Sequence, residues 1–352
     1  MPSIRSGLSP SRDGKGQMRD KVSMIKEAIA AAEKRHGLDW RTSWSKAEAG
    51  PDGNLRVSVS RGEVFAELGE YEGVETELAG ASSPSVLQAV SSVVDVRRQP
   101  EHSSELLTQA IMGETMTRID SRGDWYLVVL EDGYHGWVRS WNVGSLPREE
   151  AAAFARRADA MVASSVGYVL SEPGEGSIPV SDITAGTLVA AGEEQGGFTR
   201  IELPVGRSGY ISSGSLEPLP KGAPSREGII ERAMGFLGIP YIWGGTSAKG
   251  FDCSGLVKRV LRMEGLETMR DADQQSSTGV AVERKGGAEL PPASLLFFGE
   301  GGRITHVAIN IGGGRFVHSY GDGRVNSLLE TDNDYEVKLA GIYLFARDLL
   351  TV

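Results

Sequence analysis

The amino-acid sequence predicts an α+β protein made of several small domains: an α+β N-terminal segment, two small β-barrels and a C-terminal α+β domain. Three observations support this prediction. The chain has 352 residues, which is too long for one ordinary hydrophobic core. A stretch in its middle matches itself at an offset of 73 residues. The last third combines a helical pattern with hairpin patterns.

Composition and charge limit the possible functions. Apolar residues make up 40% and charged residues 24% of the chain, as in globular proteins. No window approaches the ~18 unbroken apolar residues that a membrane span requires. The net charge of −10 argues against nucleic acid or anionic lipid as a main partner, because both attract basic surfaces. We expect no cofactor, and composition leaves the oligomeric state open.

Cysteine content and the N-terminus bear on localisation. One cysteine excludes an intrachain disulfide framework and favours a reducing compartment. The basic N-terminus is followed by neither an apolar segment nor a small-residue cleavage site. We therefore expect a cytoplasmic protein, while a secreted form stays open.

Residues 1–85 are predicted to form the α+β N-terminal segment. A helix is expected over 18–36, where Val22, Ile25 and Ile29 share one side, and a strand over 55–60. Nothing in this segment indicates a function.

The repeat predicts two related β-barrel units, at 88–147 and 160–219, with a linker helix at 148–159 that follows a proline. At the offset of 73, Gly113 matches Gly186, Trp125 matches Phe198, Gly133 matches Gly206, Gly136 matches Gly209 and Trp137 matches Tyr210. Each copy resembles a bacterial SH3 domain, in which a WYLV-type strand is followed by a GWV strand.

A candidate nucleophile lies at the start of a helix in the last domain, 226–348. Residues 251–265 have a helical pattern, and Asp252 is placed to cap that helix. Cys253 then lies in the first turn, where free N–H groups and the helix dipole favour a thiolate. Without further signs, a lone cysteine is more often a small buried apolar residue.

Two histidines are brought together by a predicted hairpin over 304–320. His306 and His318 should lie opposite each other or one diagonal step apart, within roughly 8 Å. A cysteine peptidase needs an imidazole base and a group that orients it, so we assign His306 as the base and His318 as the orienting group. Two ordinary sheet histidines are the simple alternative. A zinc site with Cys253 is a weaker one, because catalytic zinc ligands usually lie closer in sequence.

One ordered series of motifs decides between these readings. YIWGGTSAKGFDCSG at 241–255 is followed by LLFFG, THVAINIG and FVHS. The series resembles the NlpC/p60 family of papain-like cysteine peptidases and covers about a third of the chain. The resemblance implies that Cys253 attacks, His306 is the general base and His318 orients it. It further implies that the hydroxyl of Tyr241 helps to stabilise the oxyanion.

Other residues of these motifs are candidate substrate contacts. By the same resemblance Asp252, Ser254 and Trp243 line the substrate cleft; they could equally serve as an N-cap, a turn hydroxyl and a core aromatic. Asp271, in RDADQQ at 270–275, is a further candidate, with a solvated acidic turn as its alternative.

The sequence departs from the family pattern at two turns. Pro292, Ala293 and Ser294 stand where the family has PGD, and Met269 stands where a proline is expected. Neither position supplies chemistry, so only the local turn geometry is in doubt.

The resemblance also predicts the substrate. Members of this family typically cut between γ-D-glutamate and lysine or diaminopimelate in peptidoglycan stem peptides. One branch, with bacterial SH3 domains ahead of the catalytic domain, recycles free murein peptides and captures the amine of an N-terminal L-alanine at its first SH3 unit. Tyr134, which aligns with Arg207 of the second copy, and Glu105 are our candidates for that amine.

The alternatives are a secreted lysin of intact wall, a non-catalytic SH3 peptide-binding protein and a lipid acyltransferase. The complete set of one cysteine and two histidines disfavours the second, and the lack of a hydrophobic anchor disfavours the third.

Overall fold

The computed structural model of the chain describes residues 14–50, 54–69, 71, 74–81, 83–283 and 289–350. Its mixture of helices and strands confirms the predicted α+β class. Within these residues the helices are α1 Gly14–Arg35, α2 Gly62–Leu68, α3 Arg148–Arg157, α4 Arg226–Met234, α5 Cys253–Met263, α6 Ala272–Gln275 and α7 Val337–Gly341. The chain divides into two compact units, residues 1–83 with 133–135, and residues 84–132 with 136–352.

The strands of the N-terminal unit are β1 Ser45–Ala49, β2 Leu55–Val59 and β3 Val74–Leu78. Strand β2 pairs antiparallel with β1 and parallel with β3, with α2 forming the crossover. Alternate residues of β2 are buried against α1, which fits the predicted amphipathic helix and strand. Residues 133–135 belong to this unit, where the backbone N–H of His135 donates to the carbonyl of Arg41 over 3.3 Å.

The repeated segment forms two sheets with one strand order. The first copy contains β4 Ser85–Ala89, β5 Val93–Arg97, β6 Leu106–Ile111, β7 Thr115–Arg122, β8 Trp125–Leu130, β9 His135–Arg139 and β10 Val143–Pro147. The second contains β11 Ala160–Val162, β12 Val166–Leu170, β13 Pro179–Thr184, β14 Leu188–Gln195, β15 Phe198–Leu203, β16 Arg207–Ser212 and β17 Leu216–Pro218. The first sheet runs β10-β4-β7-β8-β9-β5-β6, and the second, read from its other end, runs β17-β11-β14-β15-β16-β12-β13. Each strand therefore has its repeat mate at the same place.

A shared glycine explains part of the repeat. A Cβ on Gly136 would lie 2.6 Å from the Val96 side chain, and one on Gly209 would lie 2.5 Å from Val169. These partners are also 73 residues apart. Both barrels therefore need glycine where two strands cross closely.

Between the barrels, α3 begins directly after Pro147 and buries Ala151 and Phe154. Its first turn carries two glutamates and its last turn two arginines, which complements the helix dipole.

The C-terminal domain is a sheet flanked by short helices. Its strands are β18 Thr246–Ser247, β19 Gly250–Phe251, β20 Val280–Val282, β21 Leu295–Glu300, β22 Arg303–Gly312, β23 Arg315–Tyr320, β24 Asp322–Ser327 and β25 Tyr343–Asp348. The main sheet has the order β20-β25-β21-β22-β23-β24 in the described residues. Helix α5 buries Leu256, Val257, Val260 and Leu261 against it, as the helical pattern predicts. None of the described helices is both long and apolar enough to cross a bilayer.

Candidate active site

The first turn of α5 presents Cys253 beside the sheet. The Asp252 carboxylate accepts hydrogen bonds from the backbone N–H of Gly255, at 2.7 Å, and of Gly244, at 2.9 Å. It is therefore the N-cap that the sequence predicts, and it also fixes the preceding loop. A Cβ on Gly255 would lie 1.9 Å from the carbonyl oxygen of Gly245, so only glycine lets the helix start against this loop.

A chain of three side chains crosses the neighbouring strands. His306 Nε2 lies 2.8 Å from His318 Nδ1, and His318 Nε2 lies 2.9 Å from Asn326 Oδ1. The pairing of Ile309 with Val317 places the two histidines one diagonal step apart, as the hairpin pattern predicts. Strand β24 adds Asn326 as the third member.

The hydrogen bonds fix the tautomers of both imidazoles. The Asn326 amide nitrogen donates to the carbonyl of Asp334 over 3.0 Å, which leaves Oδ1 as the acceptor facing His318. His318 then carries its proton on Nε2 and accepts at Nδ1 from His306 Nε2–H. The lone pair of His306 therefore lies on Nδ1, where it can take a proton.

Asn326 is a functional residue that the sequence analysis missed. It lies in VNS, on the strand after FVHS, eight residues beyond His318. The only available signal was its polar side chain in an otherwise ordinary edge strand. The need for a group to orient the orienting histidine would have been the reason to choose it.

Burial keeps the reacting groups neutral in the free protein. It lowers the pKa of His306 to about 3, with a smaller contribution from His318, and lowers the pKa of His318 to about 4. Burial, reinforced by the Asp252 carboxylate, raises the pKa of Cys253 to about 12. The prediction that the helix terminus alone favours a thiolate is therefore wrong for the free protein. Desolvation outweighs the backbone N–H groups of Val307 and Ser254, which act in the opposite direction.

Cys253, His306 and Tyr241 line one open cavity of about 620 Å³. Burial, followed by the effects of Cys253 and Asp252, raises the pKa of Tyr241 to about 12. Its hydroxyl therefore keeps its proton at neutral pH and can donate a hydrogen bond to an oxyanion. The cavity places a nucleophile, a base and an oxyanion donor around one space.

Arg270 binds the two residues that flank the nucleophile, Asp252 and Ser254. Its side chain is almost completely buried and donates to both Asp252 oxygens, with Nη2 at 2.6 Å and Nη1 at 3.1 Å. Nη1 also donates to the Ser254 hydroxyl, and Nε donates to the Thr108 hydroxyl of the first barrel. In the sequence Arg270 is the first residue of RDADQQ, and no local pattern there indicates its role. Its buried charge is balanced by the N-cap carboxylate.

Strand β6 of the first barrel runs beside the loop that precedes Cys253. The Gln109 side-chain oxygen accepts from the Thr246 backbone N–H over 3.1 Å, and the Gln109 carbonyl accepts from the Thr246 hydroxyl over 2.8 Å. Nearby, the exposed indole of Trp243 donates to Glu105 Oε1 over 3.0 Å. Glu105 also pairs with Arg98 at 2.7 Å, and this hydrogen bond holds the pKa of Glu105 below its usual range.

The remaining predicted substrate contacts have structural roles in the fold. Asp252 and Ser254 are buried in the Arg270 network, and Asp271 forms a capping box with Gln274 at the start of α6. Tyr134 is buried within the 133–135 turn of the other unit. For all four, substrate contact stays a prediction.

The structure accommodates the residues at the two turns that depart from the family pattern. Ala293 has a φ of 63°, so alanine adopts the left-handed conformation for which the family uses glycine. Its methyl group is fully buried in the catalytic core, which offsets part of that strain. The Met269 carbonyl accepts from the Gln275 side chain over 3.0 Å.

The described residues contain no group of three His, Cys, Asp or Glu side chains arranged to hold a metal ion. A thiol on a helix terminus next to a His-His-Asn chain instead defines a cysteine peptidase. Comparisons with known proteins give the family. The model of the NlpC/P60 family matches residues 238–340, and that of the bacterial dipeptidyl-peptidase Sh3 domain matches residues 96–141.

Two relatives are gamma-D-glutamyl-L-lysine dipeptidyl-peptidases. The Bacillus cereus protein is 30% identical over 248 residues, which are 65% of this chain and 72% of the relative. The Bacillus subtilis protein is 28% identical over 247 residues, 67% and 79% of the two chains. A crystal structure of an NlpC/P60 family protein from Bacillus cereus has a TM-score of 0.65 at 23% identity, covering 76% of this chain and all of that one, and shows the same fold. The chain belongs to the NlpC/P60 family, as its motifs predict.

Proposed function

We propose that this protein is a cytoplasmic endopeptidase that hydrolyses the bond between γ-D-glutamate and a diamino acid in free murein peptides with an N-terminal L-alanine. The names of the two Bacillus relatives and the match to a dipeptidyl-peptidase SH3 domain support this substrate class. The single free cysteine is compatible with a reducing compartment. Fractionation of cells with an antibody against the chain tests the localisation.

The geometry supports a two-step acyl transfer. His306 Nδ1 takes the Cys253 proton as the sulfur adds to the γ-glutamyl carbonyl carbon, so the thiolate forms only as the new bond forms. Tyr241 donates to the oxyanion. The imidazolium then protonates the departing amine of the diamino acid, and a thioester remains. Water activated by the same imidazole releases the acid and restores the thiol.

The observation that carries the specificity proposal is the contact between Glu105 of the first barrel and Trp243 of the catalytic domain. It places a carboxylate of the first barrel two residues from Tyr241, which lines the reaction cavity. Glu105 keeps its charge, because the hydrogen bond from Arg98 lowers its pKa. An ammonium group bound here would select peptides with a free N-terminus over wall-linked stems, whose alanine amine is acylated.

Mass spectrometry of the products tests the activity. Wild type and Cys253→Ala are incubated with L-Ala-γ-D-Glu-diamino-acid peptide, with its N-acetylated form and with intact peptidoglycan. Release of L-Ala-D-Glu from the free peptide by the wild type alone supports the proposal. Equal cleavage of the acetylated peptide or of intact wall indicates a lysin instead, and no cleavage by folded wild type favours the peptide-binding alternative.

A matched pair of variants tests the amine site. Glu105→Gln should raise KM for the free peptide and leave the slow cleavage of the N-acetylated peptide unchanged, because the acetylated peptide has no ammonium group to bind this carboxylate. Glu101→Gln, an exposed change in the same loop, is the control. Equal loss on both substrates in Glu105→Gln would show that this residue only supports the fold.

A further inference from the structure

The cavity beside Cys253 is lined by residues of the catalytic domain alone. Besides the reacting groups, its lining includes the charged residues Glu300, Arg303 and Lys338. Glu300 ends β21 and pairs in register with Arg303, which begins β22. Lys338 lies in the first turn of α7. Three charged residues from separate elements thus surround one space that opens next to the nucleophile.

These three side chains are exposed to solvent. Across the described part of the chain, none of them makes a side-chain hydrogen bond or ion pair, even though Glu300 and Arg303 are register neighbours. Most other charged groups of this domain are engaged: Arg270 binds Asp252, and Arg315 binds Asp334. A chain with a net charge of −10 therefore keeps two unpaired cations and one carboxylate at its reaction cavity.

We propose that the part of the cavity lined by Glu300, Arg303 and Lys338 is the leaving-group subsite and that it selects a diamino acid carrying two carboxylates, as diaminopimelate does, over lysine. The inference rests on the proposed function, which assigns the N-terminal side of the substrate to the Glu105 and Trp243 contact. In a tripeptide, a C-terminal diaminopimelate carries two carboxylates and one ammonium. Two cations and one carboxylate complement that set, whereas lysine leaves one cation of the subsite unpaired.

The experiment compares kcat/KM for L-Ala-γ-D-Glu-meso-diaminopimelate and L-Ala-γ-D-Glu-L-Lys. Wild type should prefer the first peptide by about two- to fivefold, the range expected for one exposed ion pair. Arg303→Gln or Lys338→Met should reduce this preference towards unity. Glu300→Gln should lower kcat/KM for both peptides alike and leave the preference in place, because both peptides carry the ammonium group.

Lys221→Met is the matched control, since it removes an exposed cation that does not line the cavity. It should leave the preference unchanged. Equal cleavage of both peptides by wild type, a preference for lysine, or equal loss on both peptides in Arg303→Gln and Lys338→Met would overturn the proposal.

A binding measurement separates this proposal from the proposed function. Cys253→Ala is titrated with meso-diaminopimelate and with L-lysine, followed by NMR. Tighter binding of diaminopimelate than of lysine, lost in Cys253→Ala/Arg303→Gln, supports the subsite. If wild type cleaves neither peptide, this binding result still stands, and only the proposed peptidase activity on these substrates is refuted. Equal binding of the two amino acids rejects the subsite.

Discussion

Arg270 holds Asp252 through two hydrogen bonds, Nη2 to Oδ2 at 2.6 Å and Nη1 to Oδ1 at 3.1 Å, while its Nε donates to Thr108 at 2.9 Å. One buried guanidinium therefore joins the N-cap of the nucleophile's helix to strand β6 of the first barrel. The position of Cys253 depends on both domains.

Removing this guanidinium should be costly. Arg270→Met leaves the Asp252 carboxylate buried without its partner, so we expect a loss of about 3–5 kcal/mol in the free energy of unfolding, measured with urea. Thr108→Val removes one hydrogen bond and should cost about 1 kcal/mol. Equal effects of the two substitutions would show that the pair contributes little.

Asn326 should determine the tautomer and orientation of His318, and through it the activity. Asn326→Ala removes the acceptor that fixes the His318 tautomer, and kcat should fall about tenfold or more, as for the loss of a hydrogen bond of ~1.4 kcal/mol. Asn326→Asp adds a negative charge that favours the imidazolium, so the acid limb of the kcat/KM profile should move to higher pH. An unmoved acid limb in a folded Asn326→Asp variant would contradict this orienting role.

The buried histidines should make stability pH-dependent. Their pKa values in the folded protein, about 3 for His306 and about 4 for His318, lie below the ordinary histidine pKa of about 6.5. The unfolded chain therefore binds more protons between those values, and stability is lost as the pH falls from about 6.5. Thermal melts at pH 7 and 5 should show a Tm decrease that is smaller in His318→Gln. An identical decrease in that variant would assign the effect to other groups.

The thiol should react slowly at neutral pH. Because burial and Asp252 raise the pKa of Cys253 to about 12, alkylation by iodoacetamide should keep accelerating well above the usual thiol pKa of ~8.5. Asp252→Asn removes the nearby negative charge and should move the profile to lower pH. A plateau at neutral pH in the wild type would restore the thiolate that the helix position alone predicts.

Gly255 should tolerate no side chain. In Gly255→Ala, the new Cβ would meet the Gly245 carbonyl at 1.9 Å, so the start of α5 must shift and kcat should fall at least ~100-fold, the scale expected for a misplacement of about 1 Å. Gly214→Ala, where a Cβ meets nothing within 4 Å, is the control and should retain full activity. Normal activity of Gly255→Ala would mean that the loop around Gly245 yields freely.

The sequence predicted the local parts of this site well. The Asp252 cap, the start of α5 and the shared face of His306 and Ala308 follow from short-range patterns with fixed periods. The repeat likewise predicted two equivalent barrels, because the same glycines meet the same strands in both.

The unpredicted parts depend on chain segments that are far apart. Thr108 and Arg270 are 162 residues apart, and no periodicity links them. The direction of the Cys253 pKa shift was also missed, because helix position is visible in sequence while burial is a property of the packed domain. Asn326 needed the register of β23 and β24, which sequence patterns do not fix.

Equivalent positions of the two barrels contact the catalytic domain. Gln109 and Asp182 occupy the same place in the two copies, 73 residues apart. Gln109 binds Thr246 and Ser247, and Asp182 pairs with Lys249. Both barrels therefore contact the same segment, 246–249, through the same strand position. Loss of the second barrel would leave Lys249 without that carboxylate, so this barrel stabilises the loop before Cys253 although none of its residues lines the reaction cavity.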